Sequence, residues 1–163
     1  MTNEIENLEF EEDTQEGKFL TFKINNEDYG ISIRYITEII GIQKITPLPD
    51  LEGCVKGVIN LRGKIIPVID VRIKFGLSEL DYHDRTCIIV VNINNKSVGL
   101  IIDEVAEVAN IPNSLIEPPP SINQGGSSRY IEGMGKMKNS VLILLDVNRL
   151  LFEAEAEQVS QIV

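Results

Sequence analysis

The chain has 163 residues, a net charge of −10 and a hydrophobic fraction of 43%, which suits one domain or two small, fused lobes with a sizeable core. Nucleic acid and anionic lipid are poor partners for so acidic a chain, because both attract clustered Lys and Arg. No apolar stretch reaches the roughly 20 residues of a membrane span, and the N-terminus lacks a signal-peptide pattern, so we expect a cytoplasmic protein without direct membrane contact.

Acidic residues crowd the beginning of the chain, where seven of them precede Lys18, the first basic residue. A segment of this composition cannot bury itself, so residues 1–17 are predicted to form a disordered, solubilising arm. The folded region is predicted to span residues 18–152, and residues 153–163 to form the end of the last helix and a tail.

Short apolar segments separated by turn residues predict a mainly β protein. The predicted strands cover residues 19–24, 29–33, 37–42, 57–61, 65–69, 86–93, 97–102, 105–111, 130–137 and 141–145. A brief helical turn is expected near residues 34–36. Asp70 and Asp146 stand where N-caps belong, ahead of short helices predicted at 71–75 and from 147 to about 156.

A hairpin in the middle of the chain is the most informative of these elements. Its two strands flank a polar turn made by Arg62, Gly63 and Lys64, and Gly63 can supply the positive φ that a tight turn needs. Arg62 is therefore predicted to lie at the tip. A rigid hairpin with an exposed arginine favours a binding contact over a catalytic centre.

The sequence also contains an internal repeat. Residues 29–39 parallel residues 98–108, and residues 66–71 parallel residues 142–147, although chance similarity between Ile/Val-rich strands is the alternative. Five short strands in each copy predict a small closed barrel. The duplication therefore predicts two intertwined barrel lobes, at approximately 18–85 and 86–152, with a groove between them that could bind a partner.

The sequence offers no constellation for catalysis or for a metal. His83 is the only histidine and lies in a polar turn, while Cys54 and Cys87 are too far apart in sequence for a local metal knuckle. The run Gly133-Met134-Gly135-Lys136 lacks the spacing of a phosphate-binding loop. We therefore expect a binding module with no cofactor, no metal and no enzymatic activity.

The hairpin run at residues 57–77 resembles the signature segment of CheW-type chemotaxis coupling proteins. Further motifs, at residues 28–31, 36–39, 97–103 and 130–135, follow the family pattern in the same order. The resemblance covers about residues 17–152. It implies a mainly β fold with two small five-stranded SH3-like β-barrel subdomains and short helices.

The resemblance also implies a function. Proteins of this family are adaptors that couple methyl-accepting chemoreceptors to the histidine kinase CheA, binding the receptor's cytoplasmic tip and the kinase's regulatory domain. They assemble in arrays at the inner face of the membrane through these partners. The receptor-contact positions carried over by the resemblance are Ile36, Glu38, Gly57, Asn60, Leu61, Arg62, Gly63, Val105 and Val108.

Some of these positions have a plainer interpretation. Ile36 could belong to the core, Gly57 could serve a bulge or a close approach required by the fold, and Arg62 could be a solvated turn residue. Val105 and Val108 are expected to line the groove between the lobes, where an apolar surface would suit a receptor helix.

The kinase contact implied by the resemblance falls on a proline-rich loop, at Pro118, Pro119, Pro120 and Ile122. Glu117 stands where the family often has a basic residue. Three alternatives remain: an adaptor of another receptor–kinase pathway such as surface motility, a ligand- or oligonucleotide-binding barrel, and an enzyme. The acidic charge and the lack of obvious stacking aromatics oppose the barrel alternative.

Overall fold

The computed structural model describes residues 16–49, 53–119 and 129–151. The strands in these ranges are β1 (Lys18–Ile24), β2 (Glu27–Ser32), β3 (Ile36–Gly41), β4 (Val55–Leu61), β5 (Lys64–Asp70), β6 (Cys87–Ile93), β7 (Lys96–Ile102), β8 (Glu104–Asn110), β9 (Ile116–Glu117), β10 (Ile131–Lys136) and β11 (Val141–Leu145). The helices are α1 (Val71–Lys74) and α2 (Val147–Leu151), with 3₁₀ turns at Ile33–Tyr35 and Asn113–Leu115. No helix in these ranges is long and apolar enough to cross a membrane.

Every predicted strand is present, with each end within two residues of its predicted position. The additional strand β9 has two residues, which is too short to show a sequence pattern, and it pairs with β10 at Met134 and Gly135. Most of the predicted arm, the last part of the final helix and the tail lie outside the described residues. Gly17, predicted as part of the arm, belongs to the fold, because its carbonyl accepts a hydrogen bond from the Ile111 amide at 2.8 Å.

Asparagine pairs close two of the hairpins. Asn25 and Asn26 have φ values of 54° and 64°, and Asn94 and Asn95 have φ values of 53° and 65°. Two successive residues at positive φ are typical of the type I′ turn, whose twist matches that of the flanking strands. Asparagine tolerates this conformation better than other side chains, so these pairs set the register of β1 with β2 and of β6 with β7.

The strands form two sheets that each use both repeats. One sheet has the order β8-β1-β2-β11-β10-β9, and the other has the order β3-β6-β7-β5-β4. The first sheet therefore combines β1 and β2 with the last strands of the chain, and the second combines β6 and β7 with β3, β4 and β5. A boundary near residue 85 separates the repeats in sequence but does not separate the sheets.

The two strand orders correspond position by position. If β1, β2, β3, β4 and β5 are matched with β6, β7, β8, β10 and β11, one order becomes the other with the repeats exchanged, and only the two-residue β9 has no counterpart among the described strands. The parallel pairing of β5 with β7 corresponds in the same way to that of β11 with β2. The repeat read from the sequence thus appears in the topology as a reciprocal exchange of strands.

A single large apolar cluster joins the two sheets. Phe22 and Ile31 enter it from the first sheet, Ile89 and Leu100 enter it from the second, and Leu150 of α2 covers one side. Each sheet has a smaller cluster of its own, one around Ile59, Ile66, Val68, Ile88, Val90 and Ile101 and another around Ile111, Leu142 and Leu144. The inner strands are covered on both faces, which explains the near-continuous apolar runs of β6 and β7.

Asp70 connects the end of β5 to the loop that joins the repeats. Its carboxylate caps α1 by accepting from the Arg72 amide at 3.0 Å and also accepts from the Tyr82 hydroxyl at 3.0 Å. The side chain is 1% exposed. Burial raises the pKa of the Asp70 carboxyl above its ordinary value of 3.8, while the hydrogen bond from Tyr82 and those from the α1 backbone oppose the shift.

The Arg72 side chain ties the same region to the neighbouring strands. Its Nη1 donates to Asp103 Oδ2 at 2.6 Å and its Nε donates to the Ser78 carbonyl at 3.1 Å. Asp103 Oδ2 also accepts from the Asn25 amide at 2.8 Å. One carboxylate therefore holds together the β1–β2 turn, α1 and the end of β7.

The raised pKa of Asp70 leads to a prediction on stability. A carboxyl whose pKa is raised by folding stabilises the fold fully only below its unfolded pKa, and this contribution is lost as the pH rises through the folded pKa. Asn at position 70 can still cap α1 and form a hydrogen bond with the Tyr82 hydroxyl, but it does not titrate. The free energy of unfolding of Asp70→Asn relative to the parent should therefore increase as the pH rises above about 4.

Urea unfolding at several pH values measures this difference. A difference for Asp70→Asn that is flat, or that decreases with pH, would contradict the prediction.

Candidate functional site

The tip of the β4–β5 hairpin is a two-residue turn. Arg62 and Gly63 have φ values of 51° and 86°, so the arginine, as well as the glycine, adopts the left-handed conformation. This conformation costs an L-residue about 1–2 kcal/mol. The Asn60 side chain supports the turn, because its Oδ1 accepts from the Gly63 amide at 2.8 Å. The turn therefore holds the Arg62 backbone in one uncommon conformation.

The Arg62 side chain contacts Glu38 on β3. Its Nη2 donates to Glu38 Oε1 at 2.6 Å and also contacts Oε2. The Arg62 side chain is 72% exposed and that of Glu38 is 26% exposed. Because β3 and β4 are the two outer strands of their sheet, this ion pair spans from one edge to the other.

Among the described residues, Nη2 makes all the side-chain polar contacts of Arg62. Within the described part of the chain, its Nε and Nη1 have no hydrogen-bond partner. The exposed guanidinium therefore keeps N–H groups that can donate to another molecule while Glu38 holds Nη2.

Gly57 has a role in the fold itself. It has a φ of 143°, and a Cβ atom built there would lie 2.2 Å from the carbonyl oxygen of Thr46. Thr46 and Val58 exchange two backbone hydrogen bonds of 2.8 and 2.9 Å beside it. The close approach that sequence reasoning offered as the alternative for Gly57 is therefore present, and it fastens the segment after β3 to β4.

The apolar receptor-contact candidates lie in different environments. Ile36 on β3 and Val105 on β8 are both half-buried against the large cluster that joins the sheets. Leu61 packs against the smaller cluster of its own sheet. Val108 is 55% exposed on β8, an outer strand of the other sheet.

The predicted kinase loop begins at the end of β9. Pro118 is exposed and Pro119 is half-buried, whereas Pro120 and Ile122 lie outside the described residues. Glu117 pairs with Lys136 of β10 at 2.7 Å, so the acidic residue before the prolines has a basic neighbour on the adjacent strand.

Sequence reasoning missed two residues that brace the hairpin. Thr46 makes the backbone bridge to Val58, and Gln43 donates through Nε2 to the Asn60 carbonyl at 3.4 Å. A signal existed for Thr46, since a residue before proline favours extended backbone. The sequence holds no comparable signal for Gln43.

A cleft of about 200 Å³ lies elsewhere, between the β1–β2 turn and the loop that joins the repeats. Lys23, Arg72, His83 and Asp103 are among the residues that line it, and none of the receptor-contact candidates does. In the described ranges, no three His, Cys, Asp or Glu side chains are grouped as a metal site requires.

Comparison with known proteins identifies close similarity over most of the chain. Residues 18–155 match the model of the CheW-like domain family. The chain is 35% identical to the chemotaxis protein CheW of Klebsiella aerogenes over 145 residues, which cover 89% of this chain and 87% of that protein. It is 37% identical to CheW of Bacillus subtilis over 134 residues, covering 82% and 86% of the two chains.

A solved structure shows the same architecture. The scaffolding protein TtCheW from Thermoanaerobacter tengcongensis superposes with a TM-score of 0.78 at 34% sequence identity. The match covers 85% of this chain and 94% of the TtCheW chain. Together with the two sheets and few short helices, it confirms the expected mainly β fold with SH3-like subdomains.

The environment of Gly57 predicts that alanine there is strongly destabilising. Gly57→Ala must displace the Thr46 backbone as well as adopt an unfavourable φ, so we expect it to lower the free energy of unfolding by about 3 kcal/mol or more. Gly63→Ala is the matched control in the same hairpin, because nothing lies within 4 Å of its Cβ position. Gly63→Ala should lower the free energy of unfolding by only about 1–2 kcal/mol.

Denaturant unfolding of the two variants gives both values. Equal losses for Gly57→Ala and Gly63→Ala would show that the contact with Thr46 does not constrain the hairpin.

Proposed function

This chain belongs to the family of CheW-like domains, and we propose that it acts as an adaptor that couples chemoreceptors to a CheA-type histidine kinase. The observation that carries the proposal is the arrangement at the β4–β5 hairpin, where Arg62 is exposed, held in a fixed backbone conformation and oriented by Glu38. An arginine presented in this way suits acceptor oxygens on a helical receptor tip.

The proposed receptor surface combines this polar contact with apolar neighbours. Glu38, Asn60, Arg62 and Gly63 are joined by hydrogen bonds at the tip. Ile36, Leu61 and Val105 provide half-buried apolar area, and Val108 provides exposed area on the other sheet. An amphipathic receptor helix could use both kinds of contact. Gly57 supports this surface from within the fold.

The proposed kinase surface lies on a different sheet from the hairpin tip. The proline-rich loop, with Pro118, Pro119, Pro120 and Ile122, follows β9 at the outer end of the first sheet, whereas Arg62 belongs to the second sheet. Because the hairpin tip and the proline-rich loop belong to different sheets, two partners bound at these places can be held at the same time. The proposed mechanism is therefore stoichiometric scaffolding, which needs no catalytic residue, cofactor or metal.

Recruitment to the inner face of the membrane follows from this proposal. The chain would reach the membrane through the cytoplasmic part of the receptor, since its net charge of −10 opposes direct binding to anionic lipid.

Co-sedimentation tests the coupling role. The full chain is mixed with receptor cytoplasmic fragments and a CheA-type kinase, in pairs and together, while kinase autophosphorylation is followed. The proposal expects a ternary complex with increased autophosphorylation. Binding to neither partner by a folded protein would show that the chain has the family's fold without this function.

Arg62→Ala tests the proposed receptor contact. Loss of a charge-assisted hydrogen bond should weaken binding to the receptor fragment about tenfold, with little change in kinase binding. Isothermal titration calorimetry measures both affinities, and circular dichroism checks the fold.

Arg85→Ala is the matched control for this variant. Arg85 is 69% exposed and pairs with Glu104 at 3.4 Å, so its substitution also breaks an exposed ion pair but not at the hairpin. Receptor binding should be unchanged in the control. The receptor assignment of Arg62 is wrong if a folded Arg62→Ala protein binds the fragment as tightly as the parent.

A further inference from the structure

The ion pair at the hairpin tip changes what Arg62 can recognise. Glu38 contributes one negative charge in direct contact with the guanidinium, and both of its carboxylate oxygens contact Nη2. The pair is therefore close to neutral as seen by an approaching molecule, although it contains an arginine that is 72% exposed.

We propose that Glu38 determines the specificity of the hairpin tip, so that Arg62 selects uncharged acceptors, such as carbonyl and amide oxygens, over carboxylates. This inference rests on the proposed receptor-binding function. It assigns to Glu38 a role different from that of a direct receptor contact.

The hydrogen-bond geometry supports this selection. A guanidinium binds a carboxylate best through two parallel N–H···O hydrogen bonds donated from one of its edges. Both edges that can do so include Nη2, either with Nε or with Nη1, and Glu38 already occupies Nη2. The remaining Nε and Nη1 groups, which have no partner among the described residues, can donate single bonds to separate acceptors.

The charge distribution also supports the preference of Arg62 for uncharged acceptors. A carboxylate that approaches Arg62 also approaches Glu38, and the repulsion from Glu38 offsets much of the attraction to Arg62. A neutral carbonyl oxygen does not experience this repulsion to the same degree. The pair is exposed enough that solvent weakens it, so the expected effects are modest, in the range of about two- to fivefold in affinity.

The test compares two versions of one receptor cytoplasmic-tip fragment. The first has its native sequence, and in the second every Asp and Glu at the tip is replaced by Asn or Gln. Dissociation constants are measured for the full-length parent and for Glu38→Gln, at low and at high salt. The readout is the ratio of the dissociation constant of the neutralised fragment to that of the native fragment.

For the parent, this ratio should be below one by about two- to fivefold, because the neutralised fragment offers the uncharged acceptors that Arg62 prefers, and it should change little with salt. Glu38→Gln leaves Arg62 with an uncompensated charge and frees Nη2, so the ratio should rise about fivefold at low salt and fall back at high salt. The double variant Glu38→Gln/Arg62→Gln should lose this rise, because the charge responsible for it is gone.

Glu79→Gln is the matched control. It opens another exposed ion pair, between Glu79 and Lys56, and changes the net charge by the same amount. Its ratio should equal that of the parent.

Two outcomes would overturn the inference while leaving the receptor function intact. In one, a folded Glu38→Gln protein binds both fragments as tightly as the parent does. In the other, it binds both more weakly by the same factor, which also leaves the ratio unchanged and would mean that Glu38 only positions Arg62. Failure of the parent to bind either fragment would instead overturn the proposed function and the inference with it.

Discussion

Each sheet of this protein is completed by strands from the other repeat, and the large apolar cluster depends on that exchange. The third strand of each repeat, β3 or β8, pairs with the first strand of the other, β6 or β1. The hairpin β4–β5 likewise joins β7, and β10–β11 joins β2. Neither repeat can therefore bury its apolar faces alone, and the two sheets form or are lost together.

The exchange also explains why the hairpin tip is well positioned. The chain leaves β3, passes beside β4 through Thr46 and returns as the hairpin, so the Gly57 contact and the Glu38–Arg62 pair both close the same loop of chain. The Gly57 contact is made by the backbone, whereas the Glu38–Arg62 contact is an exposed ion pair. The first fixes where the hairpin lies, and the second orients the side chain at its tip without a large contribution to stability.

Local features of the fold could be predicted because their causes are local. The asparagine pairs set two hairpin turns, Asp70 caps α1, and alternating or continuous apolar runs mark the strands. The pairing of β3 with β6 could not be predicted, because it depends on residues about 50 positions apart and either repeat could have paired within itself. The two-residue β9 was missed for a different reason, since it gains its pairing only from its position beside β10.

The candidate site, like the fold, could be predicted from the sequence only in part. The exposed arginine and the positive φ of Gly63 follow from the turn sequence, and the family resemblance supplied Glu38 as a candidate. The direct contact between Arg62 and Glu38 did not follow, because it requires the two outer strands of one sheet to approach each other. Gly57 was open to interpretation as a contact residue, a structural one or both, and the 2.2 Å distance from its Cβ position to the Thr46 carbonyl oxygen shows the structural role, while its receptor contact stays a prediction.

For the proposed coupling role, the shared core limits how a signal can pass between the receptor and kinase surfaces. The hairpin tip of the receptor surface and the prolines that follow β9 lie on different sheets, but Phe22, Ile89 and Leu100 pack in one cluster that joins the sheets. Asp103 also binds both Arg72 and the Asn25 amide across the junction. A close-packed interior with a partly buried ion pair between Arg72 and Asp103 resists sliding of one sheet over the other. An adaptor built in this way transmits a change in receptor geometry as a rotation or shift of the whole molecule, which alters the position of the bound kinase without deforming the adaptor itself.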